Sequence, residues 1–192
     1  MDELYYATSN RGKFVEVAEY LKRHAPQLEL LPFDADIPEI QTMDQMAIAM
    51  DKATKVYQML QRPLLVDDAA IYFEKYTLFP GTLSKFVVKG LGVDGVSRLI
   101  DHGDKAYYLL YMIFVQADGQ KHIFEGRCDG TLIKPDVFDA DPQLPYDSFF
   151  VPEGQHLTCA KMWNQREKYE DCFYRLRALK KFVAWYQSNE QF

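Results

Sequence analysis

"ATSNRGKFVE", Ala7 to Glu16, follows "DELYY" at the start of a 192-residue chain. The order is β-formers, a small polar loop, then a run in which Phe14, Val17, Ala18 and Leu21 share one helical face. This predicts a strand feeding a helix, the opening of an α/β fold, with Ser9 or Asn10 as the helix cap. The first N–H groups of such a helix point outward and favour an anion. Ser9 and Asn10 add side-chain donors, and Lys13, one turn in, can reach the same anion. The loop is not a Walker loop, because no glycine stands five residues before Gly12-Lys13. An ordinary capped helix with a solvated lysine fits the same residues.

Outward from this stretch, helices and strands alternate. "LELLPF" predicts a second strand. "TMDQ", Thr42 to Gln45, fits a capping box, and Met46, Ala49, Met50, Ala53, Val56, Tyr57 and Leu60 keep helical spacing behind it. "PLLVDD" predicts a short buried strand ending in two acids. "GTLSKFVVKGLG" and "DGVSRLIDHG" predict two helices. Strands over 106–116 and 121–127 flank the hairpin turn "ADGQ". A last helix places Phe173, Leu176, Leu179, Val183 and Tyr186 on one face. No repeat, linker or low-complexity tract interrupts the series, so 1–192 is expected to form a single mixed α/β domain.

Composition narrows the classes. Apolar residues at 48% support a packed core, and the length allows one core or two small lobes sharing a cleft. A net charge of −6 without any Lys/Arg run disfavours bulk nucleic-acid binding. "AYYLLYMIFV" is too short to span a bilayer and is rich in β-formers, so no membrane segment is expected. The start lacks a basic region followed by an apolar block, so no secretion signal is read there. Cys128, Cys159 and Cys172 are odd in number and widely spaced, which supports neither a disulfide frame nor a zinc site and suits a cytoplasmic location.

Three further stretches carry chemistry. In "LLVDDAA", Asp67 and Asp68 stand where α/β folds build sites, and adjacent strand residues point to opposite faces. One can face a metal or water while the other is tied into the scaffold; a polar strand terminus is the plain alternative. Glu39 in "DIPE" can bring another carboxylate, and hard oxygen ligands of this kind suit Mg²⁺ arriving with phosphates. Lys52, near the start of the second helix, and Lys85 in "FPGTLSKF" are surface charges when taken singly. Gly90, Gly92 and Gly95 match G-x-G-x-x-G, but they follow a helical stretch rather than a strand, so they are expected to end one helix and begin the next, with Asp94 as cap. There is no G-x-S-x-G, no H-E-x-x-H, and no histidine pair at metal-ligand spacing.

Taken in order, "ATSNRGKFVE", "DIPE", Lys52, "LLVDDAA", "FPGTLSKF", "FEGRCDGTLIKP", "YDSFFVPEG" and "TCAKM…RAL" resemble the inosine triphosphate pyrophosphatase family nearly end to end. The joint pattern is far more specific than any part, and it tips the opening loop toward an anion site. The resemblance implies a mixed, curved central sheet with flanking helices, and two lobes around a nucleotide cleft. It implies a homodimer that uses Mg²⁺, with Mn²⁺ as a possible substitute, to split a nucleoside triphosphate into monophosphate and pyrophosphate. It assigns Ser9, Asn10, Lys13, Lys52 and Lys85 to the triphosphate. Glu39, Asp67 and Asp68 fall to the metal side, with Asp68 as general base and Lys13 beside it in catalysis. Tyr146, Asp147 and Arg175 are left to hold the base.

The departures from the family pattern gather on the base side. Ala69 and Ala70 replace a small hydroxyl residue and a glycine. "QLPYD" replaces a Gly-aromatic-Gly-aromatic-Asp loop, so that Gln143, Leu144 and Pro145 are new. "FYR" replaces Ser-His-Arg, "PDV" a Pro-Arg-Gly turn, and Lys161 a glutamate. A changed base preference is the economical expectation; a relative that binds nucleotide without turnover is the alternative.

Overall fold

β1 (Asp2–Ala7) leads through Thr8–Asn10 into α1 (Arg11–His24), as the opening stretch predicts. The structure, a computed structural model, describes residues 2–138 and 144–189; Gln143 lies outside them. Asn10 is the cap: its Oδ1 accepts from the Lys13 backbone N–H at 3.0 Å, satisfying one of the free donors of the first turn. β2 (Leu28–Phe33) then returns parallel to β1, in register from Asp2↔Leu28 to Ala7↔Phe33, with α1 as the crossover that parallel pairing requires.

α2 (Gln45–Leu60) is capped by Asp44 rather than Thr42. Asp44 Oδ1 accepts from Ala47 N at 3.0 Å, while Thr42 Oγ1 accepts from Asp44 N at 3.2 Å and shapes the approach. β3 (Leu64–Phe73) pairs parallel with β1 and does not end at the two acids. It continues through Ala69 to Phe73, whose apolar side chains are strand-compatible, and meets β4 (Pro80–Gly81) antiparallel. Gly81 has φ +52°, and a Cβ there would stand 2.6 Å from the Leu78 carbonyl oxygen, so only glycine fits this turn.

α3 (Ser84–Ser97) is two helical segments divided at Gly92, with φ 66° and ψ 175°, so one helix ends and the next begins at the glycines as expected. β5 (Lys105–Val115) and β6 (Lys121–Leu132) form the expected hairpin, β6 running five residues longer because it also pairs with β7 (Phe150–Pro152). α4 (Cys159–Met162) and α5 (Tyr174–Ser188) close the chain. The strand order is β2-β1-β3-β5-β6-β7, with β4 on β3. Parallel and antiparallel pairs coexist, so the fold is α/β with a mixed central sheet and flanking helices, as expected.

The chain divides into two compact units, one drawn from Met1–Asp68, Leu110–Gly126 and Arg175–Phe192, the other from Ala69–Leu109 and Arg127–Tyr174. In the first, Ala49, Ala53 and Val56 of α2 pack on Ala7, Leu64, Val66, Ile113 and Val115 of the sheet. Alanines one turn apart let the helix approach closely, and each large aliphatic side chain so buried contributes roughly 1.5–3 kcal/mol. In the second, Ile71, Phe73, Leu132, Phe149 and Phe150 are fully buried. No described helix is long and apolar enough to cross a membrane.

Candidate active site

Two elements of the first unit build the site: the β1–α1 turn and the middle of β3. Asp67 and Asp68 point to opposite faces, as strand alternation demands. Asp67 has no exposure at all, while Asp68 is half-buried. An anion sealed from water must be met by cations. Lys13 Nζ stands 2.9 Å from Asp67 Oδ1 and Arg175 Nε 2.6 Å from Oδ2. Arg175 also donates through Nη1 to Glu16 Oε2, and both of those side chains are 1% exposed. Lys52 donates to the Asp67 carbonyl at 3.3 Å and faces Glu39 Oε1 at 3.4 Å. Gln45, at the head of α2, donates to the Asp68 carbonyl at 3.1 Å.

The electrostatics split the two neighbours. Burial pushes the Asp67 carboxyl up, but Lys13, Arg175 and Lys52 together hold it well below the usual carboxylate range. Asp68 goes the other way: burial raises it, Asp67 and Glu39 add to the rise, and Lys13 and Lys52 offset only part. Lys13 is pushed down, by burial first and by Arg175 and Lys52 next, although Asp67 supports its charge. The ion pair is thus asymmetric, because Lys13, Arg175 and Lys52 all favour the Asp67 charge, whereas Arg175 and Lys52 oppose that of Lys13. Tyr6, fully buried on β1, has its phenol raised by burial and by Asp67.

Several expected residues fall into this cluster. Lys13, Glu39, Lys52, Asp67 and Asp68 come together, Asn10 caps the adjacent helix, and Ser9 is exposed beside it. Arg175, expected at the base, is instead enclosed between Asp67 and Glu16, because a guanidinium can be buried only where carboxylates meet it. Both Asp67 oxygens face cations, so Asp67 is a poor first choice as a metal ligand. Asp68 and Glu39 remain as carboxylates for a hard cation. Among the described residues no three of His, Cys, Asp and Glu form a ready-made metal site. Mg²⁺ does not need one, since it commonly binds one or two carboxylates with substrate phosphates and water. The donor set therefore fits it.

The other expected residues lie in the second unit. Lys85 is exposed near the start of α3. Tyr146 and Asp147 occupy the 3₁₀ turn Pro145–Ser148 and are 5% and 4% exposed. The Tyr146 hydroxyl donates to the Ser84 carbonyl at 2.9 Å, and its ring meets Phe73 at 6.2 Å. Asp147 Oδ1 accepts from the Tyr108 hydroxyl at 2.9 Å. A cavity of about 450 Å³ among Leu4, Leu28, Arg62, Pro63, Phe114 and Phe182 contains none of these residues. It lies at the starting end of β1, whereas the β1–α1 turn is at the other.

The profile of the Ham1 family matches residues 4–185. The chain belongs to the Ham1 family. A relative from Thermococcus kodakarensis, named dITP/XTP pyrophosphatase, is 30% identical over 192 residues, covering 97% of this chain and 98% of its own. Another from Kluyveromyces lactis, named inosine triphosphate pyrophosphatase, is 28% identical, covering 79% of this chain and 78% of its own. Among solved structures, a HAM1 protein from Coxiella burnetii superposes with a TM-score of 0.76 at 18% identity, covering 98% of this chain and 100% of that one. That likeness confirms the Ham1 fold.

Three participants in this Ham1 chain escape the sequence pattern. Glu16 lies on the flank of the α1 apolar stripe, where a carboxylate is ordinarily solvated, yet it is 2% exposed. Its partner Arg175 is 159 residues away, so no local spacing joins them. Gln45 reads only as part of a cap. Tyr108 stands inside an apolar strand, and the one available signal was that a buried tyrosine hydroxyl needs a partner.

Proposed function

We propose that this Ham1-family protein is an Mg²⁺-dependent nucleoside triphosphate pyrophosphatase. It takes a deaminated or modified purine nucleotide, with base selectivity altered from its relatives, and releases monophosphate and pyrophosphate. The supporting observation is the pair of neighbouring carboxylates in opposite states. Asp67 is locked as an anion under cations, and Asp68 is half-exposed with a raised proton affinity. A carboxylate of raised proton affinity is the better general base.

In this mechanism the first-turn N–H groups of α1, with Ser9, Asn10 and Lys13, hold the triphosphate. Lys52 and Lys85 add positive charge, and these donors offset the charge that grows on the departing pyrophosphate. Asp68 orients the attacking water and takes its proton. Arg175 and Glu16 are positioning residues: they fix Asp67, and Asp67 fixes the Lys13 ammonium. Glu39 and Asp68 would hold Mg²⁺, or Mn²⁺ in its place, and the ion supplies charge neutralisation at the phosphoryl oxygens. Tyr146 and Asp147 are assigned to the base. The family resemblance adds a homodimer, which sedimentation of the purified chain tests.

A second reading, binding without turnover, draws on Ala69 and Ala70 behind Asp68 and on Tyr174 standing where the family pattern has histidine. One assay separates the two. Pyrophosphate release is measured for ITP, XTP, dUTP, ATP, GTP and CTP, with Mg²⁺ and with EDTA. Turnover is expected with the metal and none with EDTA, and Asp68→Asn should lower kcat about 10²-fold. ITP and XTP are expected to lead ATP and GTP by less than about a hundredfold, which corresponds to roughly 2.7 kcal/mol. Release from none of the six would support the binding-only reading; full activity in EDTA would remove the metal.

A further inference from the structure

Asp147 is held by a residue outside the stretches that carry the family resemblance. Tyr108 lies on β5, 5% exposed, and its hydroxyl donates to Asp147 Oδ1 at 2.9 Å. The ring that carries this hydroxyl is itself fixed. It stacks on Tyr174 with centroids 4.3 Å apart and planes at 23°, and meets Phe150 edge-on at 5.0 Å and 77°. Tyr174 is the residue standing where the family pattern has histidine. All four residues belong to the second unit. Burial, and next the nearby Asp147 charge, push the Tyr108 phenol well above its ordinary value, so the group stays a proton donor at any working pH.

We infer that Tyr108 is a positioning residue for base selectivity: it aims the Asp147 carboxylate as an acceptor for an N–H donor on the nucleobase edge. The inference rests on the assignment of Asp147 to the base made above. An ionised carboxylate has about four lone-pair directions and accepts more than one donor. Pinning one oxygen from a packed, immobile ring fixes the direction in which the others read. A site whose readers are held by packing and by supporting hydrogen bonds discriminates better than one left to rotate. The ligand class follows from the acceptor: a base presenting ring or exocyclic N–H is favoured over one presenting only acceptors at that position. The alternative is a core tyrosine with a satisfied hydroxyl and no part in recognition.

Tyr108→Phe separates these, since it keeps the ring and both aromatic contacts and deletes one donor. The readout is the ratio of kcat/KM for the best nucleoside triphosphate of the panel to that for base-free ribose 5′-triphosphate. The ratio is expected to fall about tenfold, the size of one hydrogen bond to a charged group, through KM rather than kcat. In an Asp147→Ala background the same change should do nothing further, because the acceptor of the Tyr108 hydroxyl has gone. A purely structural role would lower Tm and scale both substrates equally, and an unchanged ratio overturns the inference while leaving the proposed activity standing. If the unaltered protein turns over no nucleotide, the proposed function fails first, and the inference with it.

Discussion

Asp67 has no water contact, and its charge persists because Lys13 and Arg175 flank the carboxylate while Lys52 binds the carbonyl of the same residue. That arrangement has a consequence for stability. The folded pKa lies below the unfolded value of about 3.9, so the unfolded chain binds the proton first as pH falls. The contribution is complete above roughly pH 5 and is lost as pH falls through the folded pKa. Asp67→Asn keeps the shape but takes the carboxylate charge from Lys13 and one of two carboxylates from Arg175, and breaking a buried pair in this way costs about 3–5 kcal/mol. Urea unfolding of both proteins from pH 8 to pH 3 checks it: the gap should stay constant down to about pH 5 and narrow below about pH 4. A gap that vanished already at neutral pH would mean the cations are balanced without Asp67. The sequence carried part of this. Strand alternation predicted different surroundings for Asp67 and Asp68: Asp67 is buried among cations and Asp68 is half-buried. It could not supply Arg175, because a guanidinium reads as a surface or ligand-binding group until its counter-ions are known. Glu16 was hidden for the same reason, since the pairing is made by the fold and not by spacing.

Among the elements, α2 matters because it carries Gln45 and Lys52 to the carbonyls of Asp68 and Asp67. Its start is set by Asp44. Asp44→Ala removes the acceptor for the Ala47 N–H and is expected to cost about 1 kcal/mol. In a chain of this size that is a fall of roughly 2–4 °C in Tm. Thr42→Ala should cost less, since Thr42 Oγ1 accepts from the Asp44 N–H on a partly exposed approach and not from a first-turn N–H of the helix. Thermal unfolding of the two variants ranks them; the reverse order would return the cap to Thr42. Helices and long strands were legible because their apolar periods extend over several turns or residues. The fold departs from the sequence pattern where a local cue competes with a distant partner. Two adjacent acids resemble a strand end, yet β3 runs on because β4 supplies a backbone partner at Ile71 and Tyr72. β6 runs past its expected end at Arg127 because β7 pairs with Gly130, Thr131 and Leu132, a partner that local sequence does not reveal.

At the scale of the whole molecule, the departures from the family pattern gather beside the residues assigned to the base, while the residues assigned to phosphate and metal match it. Lys13, Glu39, Lys52, Asp67 and Asp68 all belong to the first unit, whose members come from both ends and the middle of the chain. A ligand bound there touches β3, α1 and α2 together, so its binding free energy should appear as global stability rather than local ordering. A triphosphate bearing a non-cleavable α,β-imido link serves as the probe. At a concentration about 100 times its Kd, linkage adds about 2.7 kcal/mol, or a rise of roughly 5–11 °C for a chain of this length. Without Mg²⁺ the rise should be smaller, because Asp68 and Glu39 would then face phosphate oxygens of like charge with nothing between them. Lys13→Ala should remove most of the rise, since the lysine proposed to meet the phosphates also pairs with Asp67. Scanning calorimetry of the unaltered protein and Lys13→Ala, each with the probe in Mg²⁺ and in EDTA, provides the measurement. An equal rise in Mg²⁺ and EDTA would show that the carboxylates never approach the phosphates, and a full rise in Lys13→Ala would move the triphosphate away from the β1–α1 turn altogether.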